Sequence, residues 1–268
     1  MKKRIKIAIS GALGKMGKSL IKESKKYKNI KLTLLIIKKK KKKYKKIINK
    51  LINLKKKKIK IEDNIKNNKN FDILIDFTNP KNTMKNLNFC YNNNKKIIIG
   101  TTGLKEKNYL EIKKKSKKIS ILHSTNFSIG INLILKLLKI TTKNIGFDSD
   151  IEILESHHRN KLDSPSGTAL TLGKRISKTM KTNFKDIFVF NRNKKNYKKR
   201  KNEIGFNSIR AGEIIGDHSV IFINEEEKIQ IKHQAFHRKT FSKGALKSAI
   251  WIYYKKNGLF TMEDVLKN

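Results

Sequence analysis

Apolar positions fall into short runs separated by glycine, asparagine and lysine, and their spacing changes between the two halves of the chain. Ile5-Lys6-Ile7-Ala8-Ile9 is short and β-branched, which predicts a strand. It runs directly into the glycine-punctuated segment 11–17 and then a helical pattern through Leu20 and Ile21. The apolar run at 32–37 comes at the distance of the next parallel strand of a βαβ unit. Further strands are expected at 71–78, 96–103 and 119–128, with helices over 81–93 and 105–117. Strand alternating with helix predicts an open parallel α/β sheet with right-handed crossovers.

From residue 151 the grammar is different. A strand at 151–158 and a helix at 168–180 precede strand-like segments at 186–191, 204–211, 214–223 and 227–236, joined by short connections. Short connections between strands predict a mixed or antiparallel sheet, hence a second domain of α+β type. Helical spacing returns at 243–256 through Leu246 and Ile250, in a segment able to pack back on the first domain. Lys38 to Lys43 are six consecutive lysines, and 38–60 reads as a solvated loop.

The 65 basic residues against 21 acidic ones give a formal charge of +44, which raises a nucleic-acid or anionic-membrane reading. Only 7 of the 65 are arginine, however, and the lysine excess has the character of AT-rich codon bias. A phosphate-reading surface favours the planar arginine fork, and a single-strand binder interleaves aromatics. Neither pattern is present, so no nucleic-acid partner is expected. Cys90 is a lone cysteine, which permits no internal disulfide and reads as a small buried residue. The basic start resembles a secretory signal, but Lys6 interrupts its apolar stretch. No run reaches the roughly 18 apolar residues of a spanning helix, so a cytoplasmic protein is expected.

Candidate chemistry concentrates at predicted strand ends. In Gly11-Ala12-Leu13-Gly14-Lys15-Met16-Gly17 the missing Cβ atoms would let a pyrophosphate approach the backbone at a helix N-terminus. Its GxxGxxG spacing departs from GxGxxG, and a simple packing turn is the alternative. An acidic residue at the end of the second strand would bind the adenosine ribose and repel a 2′-phosphate. Ile37 and Lys38 stand there, favouring NADPH over NADH unless lysine bias alone put Lys38 in place. Gly100-Thr101-Thr102 and Ser124-Thr125-Asn126-Phe127 also follow strands, and their loops read either as the nicotinamide end of a cofactor site or as ordinary polar turns.

The segment 155–168 is the densest. His157, His158, Arg159 and Lys161 crowd a strand end, and Ser166-Gly167-Thr168 opens the next helix. The pair of histidines has no third metal ligand at useful spacing, so no metal is expected; a basic surface loop is the bland reading. Proton donors beside a helix N-terminus are also what reduction of an anionic substrate needs.

These motifs, with Asp76-Phe77-Thr78-Asn79-Pro80, the segment 204–222 and the tail around 241–251, resemble the dihydrodipicolinate reductase family over nearly the whole chain. The resemblance implies a Rossmann-type dinucleotide domain over 1–127 completed by 239–268, and a mixed-sheet substrate and oligomerisation domain over 128–238. It implies NAD(P)H-dependent reduction of a dicarboxylate, 4-hydroxy-tetrahydrodipicolinate, in lysine and diaminopimelate synthesis, by a homotetramer. By the same resemblance His157 is the acid/base, Lys161 a proton donor, and His158, Gly167 and Thr168 bind substrate. Three positions depart from the family pattern: Ile37 replaces a frequent acidic residue, Asn79 an arginine, and Asn160 a histidine. Another two-domain nicotinamide dehydrogenase of amino-acid metabolism, or a nucleic-acid-binding relic of one, are the competing readings.

Overall fold

The computed structural model describes residues 4–38, 59–192, 198, 200 and 202–267, and the chain divides into two compact units, Met1–Ile129 with Arg238–Asn268 and Gly130–His237. Most of the 38–60 stretch expected as a loop lies outside the described residues.

In the first unit, β1 (Ile5–Ser10), α1 (Lys15–Ser24), β2 (Ile30–Ile36), β3 (Lys60–Glu62), β4 (Ile73–Asp76), α2 (Pro80–Asn92), β5 (Lys96–Ile99), α3 (Glu106–Ser116) and β6 (Ser120–His123) follow in order. Helix α7 (Lys239–Tyr253), β12 (Gly258–Phe260) and α8 (Met262–Val265) return to it from the end of the chain. The described strands form one sheet in the order β12-β6-β5-β4-β1-β2-β3, with every pair parallel. A parallel sheet is covered on both faces, so its strands are continuously apolar. Alternation then sorts them: Ile7 and Ile9 join α1 and α7 in one core, while Ala8, Leu34, Leu74 and Ile97 join α2 and α3 in the other. Cys90 is fully buried in that second core, and burial pushes its thiol up, as befits a packing residue.

Helix α7 docks through a Ser19–Ser242 hydroxyl contact of 2.8 Å and begins four residues earlier than the spacing at 243–256 predicts. Gly244 permits the approach, since a Cβ there would lie 1.8 Å from the Phe127 carbonyl oxygen. The Lys96 ammonium donates to the carbonyls of Ile252 and Tyr253, capping the C-terminal end of α7, where the helix dipole favours a cation.

The second unit contains α4 (Ile129–Ile145, crossing the boundary by one residue), β7 (Asp150–His157), α5 (Gly167–Met180), α6 (Phe184–Ile187), β8 (Phe188–Val189), β9 (Ile204–Arg210), β10 (Asp217–Ile223) and β11 (Lys228–Gln234). Its sheet runs β11-β10-β7-β9-β8, antiparallel across β10 and parallel between β7, β9 and β8, so it is mixed. Ile134, Leu135 and Leu138 of α4 and Leu172 and Ile176 of α5 share a core with Ile151, Ile153, Val220 and Phe222 of the strands.

Two readings of the pattern are corrected. The strand expected at 186–191 is shortened to Phe188–Val189, because its first two residues close a helical turn over Phe184–Ile187 that the Asn183 side chain opens by accepting from the Lys185 amide. The 17-residue helix α4 occupies a segment to which the pattern assigned no element. Its buried positions Ile131, Ile134, Leu135, Leu138 and Thr142 follow helical spacing, interspersed with Lys136 and Lys139, so the period is present in the sequence.

Candidate active site

In the first unit the strand order reverses between β1 and β4, and ligands of open parallel sheets bind beyond the carboxyl ends at such a point. Gly11 leaves β1 at φ +77, a left-handed conformation that suits glycine. Its amide and that of Ala12 both donate to the Ile36 carbonyl at 3.1 Å. A Cβ on Gly17 would lie 2.2 Å from the Gly11 carbonyl oxygen, so the turn and α1 can close only with glycine there. Ala12 is buried and Leu13 packs against the same core, which makes them supports of the turn. Gly14 caps α1 without a side chain, and the first-turn amides of Lys15, Met16 and Gly17 have no intrahelical acceptor.

Beside this turn lies a cavity of about 910 Å3 whose wall includes Gly11, Lys38, Asp63, Thr78, Asn79 and Lys85. A buried network shapes it. Asp76 Oδ1 accepts from the amide and hydroxyl of Thr78, and Oδ2 accepts from Asn86, which also donates to Ser10. Burial raises the Asp76 carboxyl despite these hydrogen bonds. Asn79 caps α2 through the Asn82 amide. The glycine cradle and the start of α1 suit the pyrophosphate of a dinucleotide.

The two other predicted cofactor loops divide between support and surface. Gly100 is needed because a Cβ would lie 2.2 Å from the Phe77 ring. Thr101 is buried, its hydroxyl accepting from the Thr78 amide and from Thr83, whereas Thr102 is exposed. The Ser124 hydroxyl and Asn126 fold their own loop, Thr125 is exposed, and Phe127 is buried against Phe77 with ring centroids 5.3 Å apart.

The second unit holds the other predicted residues. Strand β7 alternates, so Glu155 and His157 point to the same face. Register places His218 opposite Glu155 on β10 and Arg210 opposite His157 on β9. Glu155 is 1% exposed; it accepts from His157 Nδ1 at 2.5 Å, from both terminal nitrogens of Arg210 at 2.9 and 2.6 Å, and from the Ser166 amide at 3.2 Å. Burial raises this carboxyl, but the hydrogen bonds from His157, Arg210 and Ser208 outweigh it and bring it down to about 2. An ionised carboxylate only accepts, so Nδ1 carries the hydrogen. Glycine at 216 keeps Nε2 uncovered, since a Cβ there would lie 3.0 Å away.

His218 stands edge-on to His157 at 5.1 Å between centroids, with Nε2 3.1 Å from the Ser166 hydroxyl. Burial, then the neighbouring His157 ring, pushes it down to about 3 despite Glu155, so it stays neutral. Ser166 caps α5 through the Ala169 amide, and a Cβ at the exposed Gly167 would meet nothing within 4 Å among the described residues. Thr168 follows in the first turn, half-buried. Lys161 is paired with Asp163 at 2.6 and 2.8 Å, and the His158 carbonyl accepts from the Lys161 amide while its ring is half-buried. His157, Lys161, His158, Gly167 and Thr168 are thus gathered on β7, the loop after it and the start of α5. Sequence reading missed Glu155, Ser166, Arg210, Gly216 and His218. Only Glu155 carried a local signal, its two-residue spacing from His157 on a strand.

A parallel sheet with a glycine turn at its switch point, followed along the chain by a unit with a carboxylate-held imidazole linked to a helix start, defines a two-unit oxidoreductase that uses a nicotinamide nucleotide. Family models described as dihydrodipicolinate reductase, N-terminus and C-terminus match residues 5–127 and 130–266. The chain belongs to the dihydrodipicolinate reductase family. It is 52% identical over 270 residues to the 4-hydroxy-tetrahydrodipicolinate reductase of Buchnera aphidicola subsp. Cinara cedri, covering 100% of this chain and 98% of that one. The enzyme of the same name from Buchnera aphidicola subsp. Baizongia pistaciae is 49% identical, over 99% and 98% of the two chains. Among solved structures, a dipicolinate-bound dihydrodipicolinate reductase from Paenisporosarcina sp. TG-14 shares the fold with a TM-score of 0.77 at 23% identity, over 97% of this chain and 99% of that one. GenD2 from gentamicin A biosynthesis, in complex with NAD, follows at 0.62 and 7%, over 99% and 91%.

Proposed function

We propose that the protein reduces 4-hydroxy-tetrahydrodipicolinate to tetrahydrodipicolinate with NADPH as preferred cofactor and NADH as second, a step of lysine and diaminopimelate synthesis in the cytoplasm. The observation that carries this reading is His157, held by Glu155 through Nδ1, with the same carboxylate taking the Ser166 amide at the start of α5. Loss of water leaves an electrophilic carbon in the substrate ring, and the bound reduced nicotinamide supplies the hydride.

The chain's own residues do the rest. The first turn of α5, at Gly167 and Thr168, receives a substrate carboxylate at the positive end of the helix dipole, with His158 beside it. Lys161 exchanges Asp163 for a substrate group, giving the ring a cation and a proton donor. His157 takes up a proton from solvent at Nε2 and passes it to the substrate, returning to the Nδ1–H form, while Glu155 stabilises the imidazolium in between. Lys38 and Lys85 on the cavity rim, against the single carboxylate of Asp63, favour a 2′-phosphate. The loops at Gly100-Thr101-Thr102 and Ser124-Thr125-Asn126-Phe127 line the nicotinamide end, Phe127 through its backbone. Four copies assemble through the second unit's sheet, whose face opposite α4 and α5 carries Leu154, Ile221 and the 52%-exposed Ile209.

The test couples the purified protein to the preceding synthase, which makes the substrate from pyruvate and aspartate semialdehyde, and follows NADPH and NADH oxidation. Synthase-dependent oxidation supports the reaction and ranks the cofactors. No oxidation by folded, NADPH-binding protein overturns the substrate assignment.

A further inference from the structure

Glu155 is the point where four parts of the second unit meet. Its two oxygens take the His157 ring from β7, the Arg210 fork from β9 and the Ser166 amide at the cap of α5. The Arg210 fork reaches on to the Asp163 carbonyl at 2.7 Å, inside the loop that carries Lys161. The proposed proton donor, carboxylate cradle and cationic loop are therefore all tied to this one buried carboxylate.

We infer that Glu155 is the positioning residue of the reaction, holding His157 in the Nδ1–H form with Nε2 free and fixing that nitrogen relative to the start of α5. The inference rests on the function proposed above. Three physical arguments support it. A neutral imidazole chooses between two tautomers of similar energy, and an acceptor at hydrogen-bond distance from Nδ1 selects one. A buried carboxylate without a counter-charge would repel a dicarboxylate substrate and resist ionisation, and the bidentate Arg210 offsets both effects. Among the described residues Glu155 is the hydrogen-bond partner that the His157 ring finds, with neutral His218 of β10 standing edge-on to it. Arg210 is by the same geometry the partner that keeps Glu155 charged.

Ring-nitrogen NMR of the full-length wild-type protein without substrate, with His157 assigned by its loss in His157→Gln, reads the tautomer directly. Neutral His157 protonated on Nδ1 is expected; protonation on Nε2 overturns the inference, whether or not the reaction itself is the one proposed. In the coupled assay Glu155→Gln should lower kcat by about 10-fold or more, with KM for NADPH unchanged. The alkaline limb of its pH–rate profile should move to lower pH, because the imidazolium has lost its counter-charge. A fall in kcat with the profile in place would mark a merely structural role and overturn the inference. Should Glu155→Gln fail to fold, the wild-type tautomer still decides. A wild-type protein that shows the Nδ1–H form yet does not turn over overturns the reaction alone.

Discussion

At the scale of single residues, the proposed site is an exercise in keeping a few charges paired until a substrate arrives. His157 is 8% exposed and meets solvent mainly through its free edge. His157→Gln keeps much of the volume and removes the proton, so turnover should fall by about 100-fold or more while NADPH binding measured by fluorescence stays the same. Glu155 adds a pH signature to stability. Its carboxyl ordinarily ionises near 4.5 and in the folded protein at about 2. A depressed folded value stabilises the protein above 4.5, and that contribution is lost as the pH falls from there towards 2. Urea unfolding across this window should show a steep loss for the wild type and a flatter profile for Glu155→Gln.

At the scale of elements, the β1–α1 turn shows how closely backbones must approach to make a nucleotide cradle. A methyl on Gly17 would overlap the Gly11 carbonyl at 2.2 Å, while one on Gly14 would meet it at 3.2 Å. Gly17→Ala should therefore cost about 1–3 kcal/mol or more of stability in urea and weaken NADPH binding, and Gly14→Ala much less. The opposite ranking would mean that the turn does not close as described. Strand β7 makes a similar point from the other unit: alternation puts Glu155 beside His157, but only pairing with β9 and β10 brings Arg210 and His218 to them.

At the scale of the whole molecule, charge is the conspicuous property and a poor guide. Of the 65 basic residues, Lys38, Lys66 and Lys85 are distinguished by lining the cavity beside Gly11. Lys38→Glu should reverse the cofactor ranking, raising KM for NADPH by about 10-fold with a small effect on NADH, since a carboxylate accepts from a ribose hydroxyl and repels a phosphate. An unchanged ratio in the coupled assay would remove Lys38 from the phosphate site. Light scattering on the purified protein should give four chain masses, and a monomer that retains full activity would refute assembly through the open sheet face.

The sequence by itself determined the parallel sheet, the glycine turn, the change of grammar after residue 150 and the cluster from His157 to Thr168. Each is written in local spacing: period two or continuous β-branched runs for strands, glycine where backbones touch, and small polar residues at a helix start. Helix α4 went unassigned although its apolar positions follow helical spacing, and the strand expected at 186–191 is shortened to Phe188–Val189 because the turn capped by Asn183 takes its first two residues. Only the tertiary structure decided that Thr101 and Phe127 act as supports, that Asp163 holds Lys161, and that Glu155, Arg210, Ser166 and His218 surround His157. Those contacts join residues as distant in sequence as His157 and His218, and strand register, which a single sequence does not express, is what brings them together.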